Sequence, residues 1–289
     1  MEAHPANLPA PTEHRAGIRL PGLGTGIGGG MVMLYLSLIV LLPLAAVASE
    51  AFSLGIGHFW EQVTSPLAKK SLELTVICSL IVVVLNGFFG TILAWLLVRD
   101  NFPGKSIVNA VIDLPFALPT IVAGLVIMAL YGPRTPLDVT IGSFHFDADI
   151  TFTRTAIYVA LLFVTLPFVV RTVQPVLIEL DRELEDAARS LGASGFTTFR
   201  RIVLPAILPG VLSGVAMAFA RAIGEIGAIV LIAGNLPFKT EAASIHLFYR
   251  IEQDPEGAAA VAVVLLATSF GVLLGIGAVR WHVTRHERG

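Results

Sequence analysis

Two charged residues stand inside an apolar run that is long enough to cross a membrane. Arg221 and Glu225 are four residues apart in the run from Pro209 to Ala233. With about 1.5 Å of rise per residue, Arg221 lies roughly 18 Å beyond Pro209, near the middle of a hydrocarbon layer of about 30 Å. Charges at that depth are costly, and they usually face protein or a water-filled path. The pair could therefore lower the barrier for an anion, or it could clasp two helices together.

Small side chains surround this pair if the run is one continuous helix. Gly214, Ala218 and Ala228 then share the face of the two charges, whereas bulkier residues form another face. A face of small residues could leave room for a channel, which favours the pathway interpretation. The predicted substrate pathway comprises Arg221, Glu225, Gly224 and Asn235.

A second group of residues lies in a polar loop, about residues 174–208, between two apolar runs. Its apolar residues recur at helical spacing between charged ones, which predicts a short amphipathic helix. Small residues allow another backbone to approach, and a glycine allows a turn that side chains obstruct. We interpret the loop as a docking surface rather than an interfacial helix whose Arg200 and Arg201 contact lipid headgroups. The predicted docking residues are Glu185, Asp186, Ala187, Ala188, Gly192, Leu204 and Pro205.

The composition indicates that the elements positioning these residues are membrane helices. The chain has 289 residues, is 55% hydrophobic and only 14% charged, and has a mean hydropathy of +0.81. Its net charge of −2 gives no basic surface for nucleic acid. The single cysteine, Cys78, excludes an intrachain disulfide. Six apolar runs predict an all-α bundle of six transmembrane helices, at about residues 31–48, 74–98, 108–130, 155–173, 209–233 and 258–279.

The distribution of basic residues predicts the orientation of this bundle. Of the 19 Lys and Arg residues, twelve fall on one side of the predicted membrane and six on the other, with Arg221 inside it. The positive-inside rule then places both termini and the 174–208 loop in the cytoplasm. Pro115, Pro119 and Pro167 interrupt the third and fourth spans, and we interpret them as fixed bends.

The same pattern divides the chain into predicted segments, and the first apolar run is long enough to favour an uncleaved anchor over a signal peptide. The segments are a disordered cytoplasmic tail at 1–30, a first transmembrane helix and outer loop at 31–65, a transmembrane domain at 66–282, and a cytoplasmic tail at 283–289.

The chain carries no convincing catalytic residues. Gly104-Lys105-Ser106 ends like a phosphate-binding loop, but Arg99 stands where the first glycine is required. His282 and His286 are four residues apart without a third metal ligand. We therefore predict no catalytic site, no metal and no cofactor in this chain. A proton-coupled carrier would need several deep carboxylates and repeated halves, which makes it a weak alternative.

The loop resembles the EAA loop of ATP-binding-cassette (ABC) importer permeases, although Asp186 stands where that family usually has Glu. Across about residues 65–282 the chain resembles the T-type permease subunits of sulfate and thiosulfate ABC importers. Molybdate permeases share the Arg221–Glu225 stretch, whereas residues 234–240 favour sulfate. The other segments that carry the resemblance are Asp113–Pro119, Tyr131–Pro133, Leu166–Pro175, Ile232–Glu241 and Arg250–Gln253.

This resemblance implies a type I importer permease with the loop as its cytoplasmic coupling helix. The implied partners are a homologous W-type permease chain, two ATPase subunits that bind ATP and Mg²⁺, and an extracytoplasmic sulfate-binding protein. The chain would sit in the cell membrane among lipids. A molybdate or tungstate importer is the alternative that the resemblance leaves open.

Overall fold

A computed structural model of the protein describes residues 23–133, 139–141, 144–146 and 149–286. Part of the predicted N-terminal tail, residues 1–22, and residues 287–289 of the C-terminal tail lie outside the described residues, as do Arg15, Arg19, Arg134 and Arg288 of the charge count. The described helices are α1 (Leu23–Leu36), α2 (Leu42–Ala51), α3 (Ile56–Thr64), α4 (Pro66–Arg99), α5 (Lys105–Ala117), α6 (Thr120–Tyr131), α7 (Arg154–Glu179), α8 (Arg182–Ser190), α9 (Gly195–Thr198), α10 (Leu204–Ile223), α11 (Gly227–Ile232), α12 (Ala243–Arg250) and α13 (Pro255–His286).

The predicted all-α class is confirmed, with one small hairpin added. Strands β1 (Val139–Ile141) and β2 (Phe144–Phe146) pair antiparallel, with Val139 opposite Phe146. Two π-helical turns, Ser37–Leu41 and Phe199–Val203, join α1 to α2 and α9 to α10. Among the described residues, five helical stretches are long and apolar enough to cross a membrane: Gly28–Ala51, Pro66–Arg99, Arg154–Glu179, Gly195–Ile223 and Pro255–His282.

The third predicted span is not one continuous helix. It is divided into α5 and α6 by Leu118 and Pro119, which are both extended. A residue that precedes proline is pushed out of the helical region, and proline has no N–H to continue the ladder. The predicted bend at Pro119 is therefore a complete break, because α5 ends at Ala117 and α6 begins at Thr120. Pro167, by contrast, lies inside the continuous helix α7.

The fifth predicted span is also broken. Helix α10 ends at Ile223, and α11 begins only at Gly227. The intervening residues Gly224, Glu225 and Ile226 are not helical. The prediction that Arg221 and Glu225 belong to one continuous helix is therefore wrong.

The chain separates into two units, residues 1–46 and 47–289. In the first unit, the described residues form α1, the π-helical turn and the start of α2. In the second unit, α4, α7 and α10 pack together, and their core includes Val83, Val173 and Phe219. A neighbouring core joins α4, α6, α7 and α11. The two broken helices thus belong to the packed centre of the second unit.

Glycines allow the broken helices to approach closely. A Cβ atom on Gly227 would lie 2.2 Å from Thr120 Oγ1, and one on Gly124 would lie 2.8 Å from the Ala228 carbonyl oxygen. Both distances are too short for any side chain. Helix α11 therefore packs directly against α6, just beyond the break at Pro119.

Candidate functional site

The loop helix α8 has well-formed ends. Asp181 precedes it, and its Oδ1 accepts a hydrogen bond from the Glu183 amide at 2.9 Å, which caps the first turn. Arg189 lies in the last turn, where a cation complements the helix dipole. The chain leaves the helix through Gly192, whose φ of +84° suits glycine. The predicted short helix with a glycine turn is confirmed.

One side of α8 is tied to the end of α4. Glu185 is 4% exposed, and its Oε1 lies 2.6 Å from Arg99 Nη2. The same nitrogen donates to the Leu180 carbonyl at 3.2 Å, and Arg182 donates to the Val98 carbonyl at 3.1 Å. A cavity of about 360 Å³ lies beside these contacts, between the helix end and α8. The Glu185 side chain therefore faces the end of α4.

The other side of α8 is open. Asp186 and Ala187 are exposed, Ala188 is half-buried, and the Asp186 carboxylate contacts Arg189 at 3.2 Å. Leu191 is 88% exposed beside Gly192, although a leucine side chain gains by leaving water. We call Asp186, Ala187, Ala188, Leu191 and Gly192 the outer face of α8. It has the small and apolar residues that a docking surface requires.

Leu204 and Pro205 lie apart from this outer face. They begin α10, which continues directly from the π-helical turn Phe199–Val203 within the helical stretch Gly195–Ile223. Leu204 is half-buried and Pro205 is exposed. The seven predicted docking residues thus divide into an inward residue, four on the outer face, and two at the start of α10.

The charged pair of Arg221 and Glu225 forms at the break between α10 and α11. Arg221 Nη1 lies 2.5 Å from Glu225 Oε2, and the Arg221 side chain is 32% exposed while that of Glu225 is 1% exposed. Glu225 Oε1 also accepts a hydrogen bond from the Ala228 amide at 2.8 Å, at the start of α11. Ser244 of α12 donates to the Glu225 carbonyl oxygen at 2.8 Å. Glu225 is thus a buried anchor, and Arg221 is the member of the pair that reaches the surface.

Gly224 and Asn235 occupy different surroundings. Gly224 is exposed next to the pair, and no atom lies within 4 Å of the place where a Cβ would stand. Asn235 has a φ of +48°, and its amide donates to the Val230 carbonyl at 3.2 Å, beyond α11. In the described part of the chain, Asn235 makes no hydrogen bond to Arg221 or Glu225. The structure thus brings together three of the four predicted pathway residues.

The small residues of α10 pack against a neighbour instead of lining a channel. A Cβ on Gly214 would lie 2.2 Å from Thr172 Oγ1 and 2.8 Å from Val169 Cα, both in α7. Ala218 and Ala228 are fully buried. The argument for a pathway from a small-residue face is therefore wrong. The exposed side chain of Arg221 and the open space at Gly224 now carry that hypothesis.

A third polar group was not assigned a role from the sequence. The Arg171 guanidinium of α7 contacts both carboxylate oxygens of Asp113, at 2.7 and 2.5 Å, and donates to the Asn109 carbonyl of α5 at 3.2 Å. Its Nη1 also donates to Gln174 Oε1. Asp113 and Arg171 both lie in segments that resemble the T-type permeases. Because an acid and an arginine each stand inside a predicted membrane span, the sequence could have predicted that they pair.

Residues 86–287 match the family described as binding-protein-dependent transport system inner membrane component, and the chain belongs to that family. Together with the packed helices and the capped loop helix, this match identifies a membrane permease of the ABC importer kind. It is 47% identical to the sulfate transport system permease protein CysT of Synechocystis sp. over 84% of this chain and 85% of the relative. It is 39% identical to the protein of the same name in Escherichia coli, over 93% of this chain and 96% of the relative. The resemblance to T-type permeases is confirmed.

The fold agrees with this assignment. A chain in the crystal structure of a bacterial ABC transporter that imports alginate superposes with a TM-score of 0.71 at 17% identity, covering 90% of this chain and 96% of that one. The protein is therefore a multi-pass membrane permease with the type I fold.

Proposed function

We propose that this chain is the T-type permease subunit of an ATP-driven sulfate and thiosulfate importer and forms half of the translocation pathway. Sulfate transport is in the names of its relatives. One observation carries the proposal for an anion: Arg221, in the last turn of α10 beside the break in this span, keeps about a third of its side chain exposed. A bare anion in an apolar environment faces a very large solvation penalty, and a partly exposed guanidinium reduces it.

Glu225 regulates the charge that the anion meets. Its carboxylate is nearly inaccessible and neutralises Arg221, so the pathway presents a partly compensated cation. An anion that approaches Arg221 competes with a carboxylate that cannot leave. The site thereby holds the ion weakly enough to release it. Gly224 keeps the space beside Arg221 free of side chains.

The energy comes from other subunits in this proposal. Two cytoplasmic ATPase subunits bind ATP and Mg²⁺, and one of them receives the outer face of α8 in a groove. A homologous W-type permease completes the pathway, and an extracytoplasmic sulfate-binding protein delivers the ion. Both termini and α8 are cytoplasmic, in agreement with the positive-inside rule.

A continuous set of contacts leads from α8 to the deep pair. The pair of Glu185 and Arg99 joins α8 to one end of α4. Near the other end of α4, Thr75 Oγ1 accepts a hydrogen bond from the Ala243 amide at 2.7 Å, at the start of α12. The next residue, Ser244, donates to the Glu225 carbonyl oxygen. A displacement of α8 by the ATPase would therefore reach the surroundings of Arg221 through one rigid helix.

The double variant Arg221→Met with Glu225→Gln tests the pathway role. It removes both charges at similar volume, and apolar replacement of a buried ion pair is often tolerated. We expect an assembled complex that hydrolyses ATP and takes up almost no labelled sulfate. Uptake near the normal rate would show that the pair is only a clasp between chain segments.

A matched control comes from Arg250 and Asp254, which form another ion pair with the same spacing and order. Arg250→Met with Asp254→Asn should leave uptake measurable in the assembled complex. Competition for labelled sulfate uptake by thiosulfate and by molybdate tests the substrate. Stronger competition by molybdate than by thiosulfate would favour the molybdate alternative.

A further inference from the structure

An apolar groove of about 630 Å³ runs along the second unit between α4 and the start of α10. It is bounded on one side by α4 and on the other by α9, the π-helical turn Phe199–Val203 and α10. Its lining is almost entirely apolar. The lining includes Phe88, Ile92, Trp95, Phe196, Phe199 and Leu204.

This groove lies along two membrane spans and opens outward. Phe88 and Phe196 are 62% and 74% exposed, and both belong to candidate spans. One end of the groove lies near the membrane boundary, because Trp95 is only four residues, about 6 Å of helix, from Arg99 at the end of α4. An open apolar groove at this depth is accessible to lipid chains.

Two cations stand at that same end. Arg200 follows Phe196 by four residues and so lies on the same side of the helical segment, and Arg201 is next to it. Both are exposed, and neither makes a hydrogen bond or ion pair with the residues that the structure describes. Paired basic residues beside a membrane attract anionic headgroups. The groove and the two cations together match an amphiphile with apolar chains and a negative head.

We propose that this groove binds an anionic phospholipid, with an acyl chain against Phe88, Ile92 and Phe196 and the headgroup phosphate on Arg200 and Arg201. The lipid would contact both α4 and the segment that connects α8 to α10. It would thus hold the loop junction against the helix to which Glu185 is already tied. This inference does not depend on which ion the complex carries.

Photochemical cross-linking in the whole complex tests the occupant. Benzoylphenylalanine replaces Phe196, and the complex is reconstituted in vesicles of phosphatidylethanolamine with phosphatidylglycerol as the minor component. After irradiation, mass spectrometry identifies what is attached. We expect phosphatidylglycerol adducts enriched at least about fivefold over its share of the lipid, because a single basic residue near a membrane surface already gives that preference.

The same substitution at Phe270 is the matched control, because Phe270 is 60% exposed in α13 and does not line the groove. Its lipid adducts should follow the bulk composition. Adding Arg200→Gln and Arg201→Gln should abolish the enrichment at Phe196. Equal adducts at both positions would overturn the proposal, and so would attachment of Phe196 to another protein chain. Sulfate uptake in the same vesicles reports the proposed function separately.

Discussion

Glu185 and Asp186 are adjacent acids with opposite surroundings, so their substitution should have opposite consequences. Glu185→Ala should destabilise the folded chain, because it leaves Arg99 in a site where its side chain is only 11% exposed. Asp186→Ala should leave stability unchanged and weaken ATPase association, since that side chain is 70% exposed on the outer face of α8. The sequence alone places both residues in the same docking motif.

The two ion pairs differ enough in geometry for the effects to be separated. At 2.6 Å and an effective dielectric constant of 20, Glu185 and Arg99 attract each other by about 6 kcal/mol before desolvation is subtracted. Breaking such a buried pair typically costs about 3–5 kcal/mol. The exposed pair of Asp186 and Arg189, at 3.2 Å, contributes about 0–1 kcal/mol.

The assay combines thermal unfolding of the purified complex with co-purification of the ATPase subunits. At roughly 2–4 °C per kcal/mol for a chain of this size, Glu185→Ala should lower the midpoint by about 6–20 °C. Exchanging the charges, as Arg99→Glu with Glu185→Arg, should restore part of that loss. Equal destabilisation by Glu185→Ala and Asp186→Ala, or none by either, would refute the inward position of Glu185.

Three further predictions use the same structure. Gly192→Ala should lower the free energy of unfolding by about 1–2 kcal/mol and reduce ATPase association, because a φ of +84° strains any side chain although the space around it is open. Gly195→Ala is the control, because Gly195 does not have a positive φ. Equal effects of the two substitutions would show that the turn at Gly192 does not require glycine. Ser190→Cys should react with an impermeant thiol reagent only from the cytoplasm and Lys239→Cys only from outside, and the reverse would invert the topology. Arg171→Lys loses the two-point contact with Asp113 and should lower the free energy of unfolding by about 1 kcal/mol, which thermal unfolding measures. An unchanged midpoint would show that this contact does not stabilise the helix bundle.

Hydropathy was sufficient for the class of fold and for the position of most spans, because a lipid-crossing helix needs a long apolar run. It could not locate the breaks. Residues 108–130 and 209–233 are both predominantly apolar, and a hydropathy average does not show whether the backbone hydrogen bonds continue. The break between α5 and α6 could have been predicted, because a residue before proline, here Leu118, is disfavoured in a helix. Gly224 gave only weak evidence for the break between α10 and α11, since glycine is common in membrane helices.

The docking loop was predictable as a helix but not as a two-sided one. Periodicity indicated an amphipathic segment, and it could not show that Glu185 would meet Arg99, about 86 residues earlier in the chain. That pairing depends on the length of α4 and on the turn after α7, which are tertiary features. For the same reason the sequence did not predict the contact of Arg171 with Asp113, although both residues lie in segments that resemble the T-type permeases.

The break after Ile223 changes what the deep pair can do. In a continuous helix, Glu225 would be one more side chain on the surface of α10, free to change rotamer with Arg221. Because the helix ends, the Glu225 carboxylate instead accepts the Ala228 amide, and its carbonyl accepts Ser244. It is thereby attached to α11 and α12 as well as to Arg221. In the proposed pathway, a movement of α12 relative to α10 would alter the distance between Glu225 and Arg221, and with it the charge that Arg221 presents to an anion. The irregular backbone at Gly224 would then be the feature that couples helix motion to the electrostatics of the pathway.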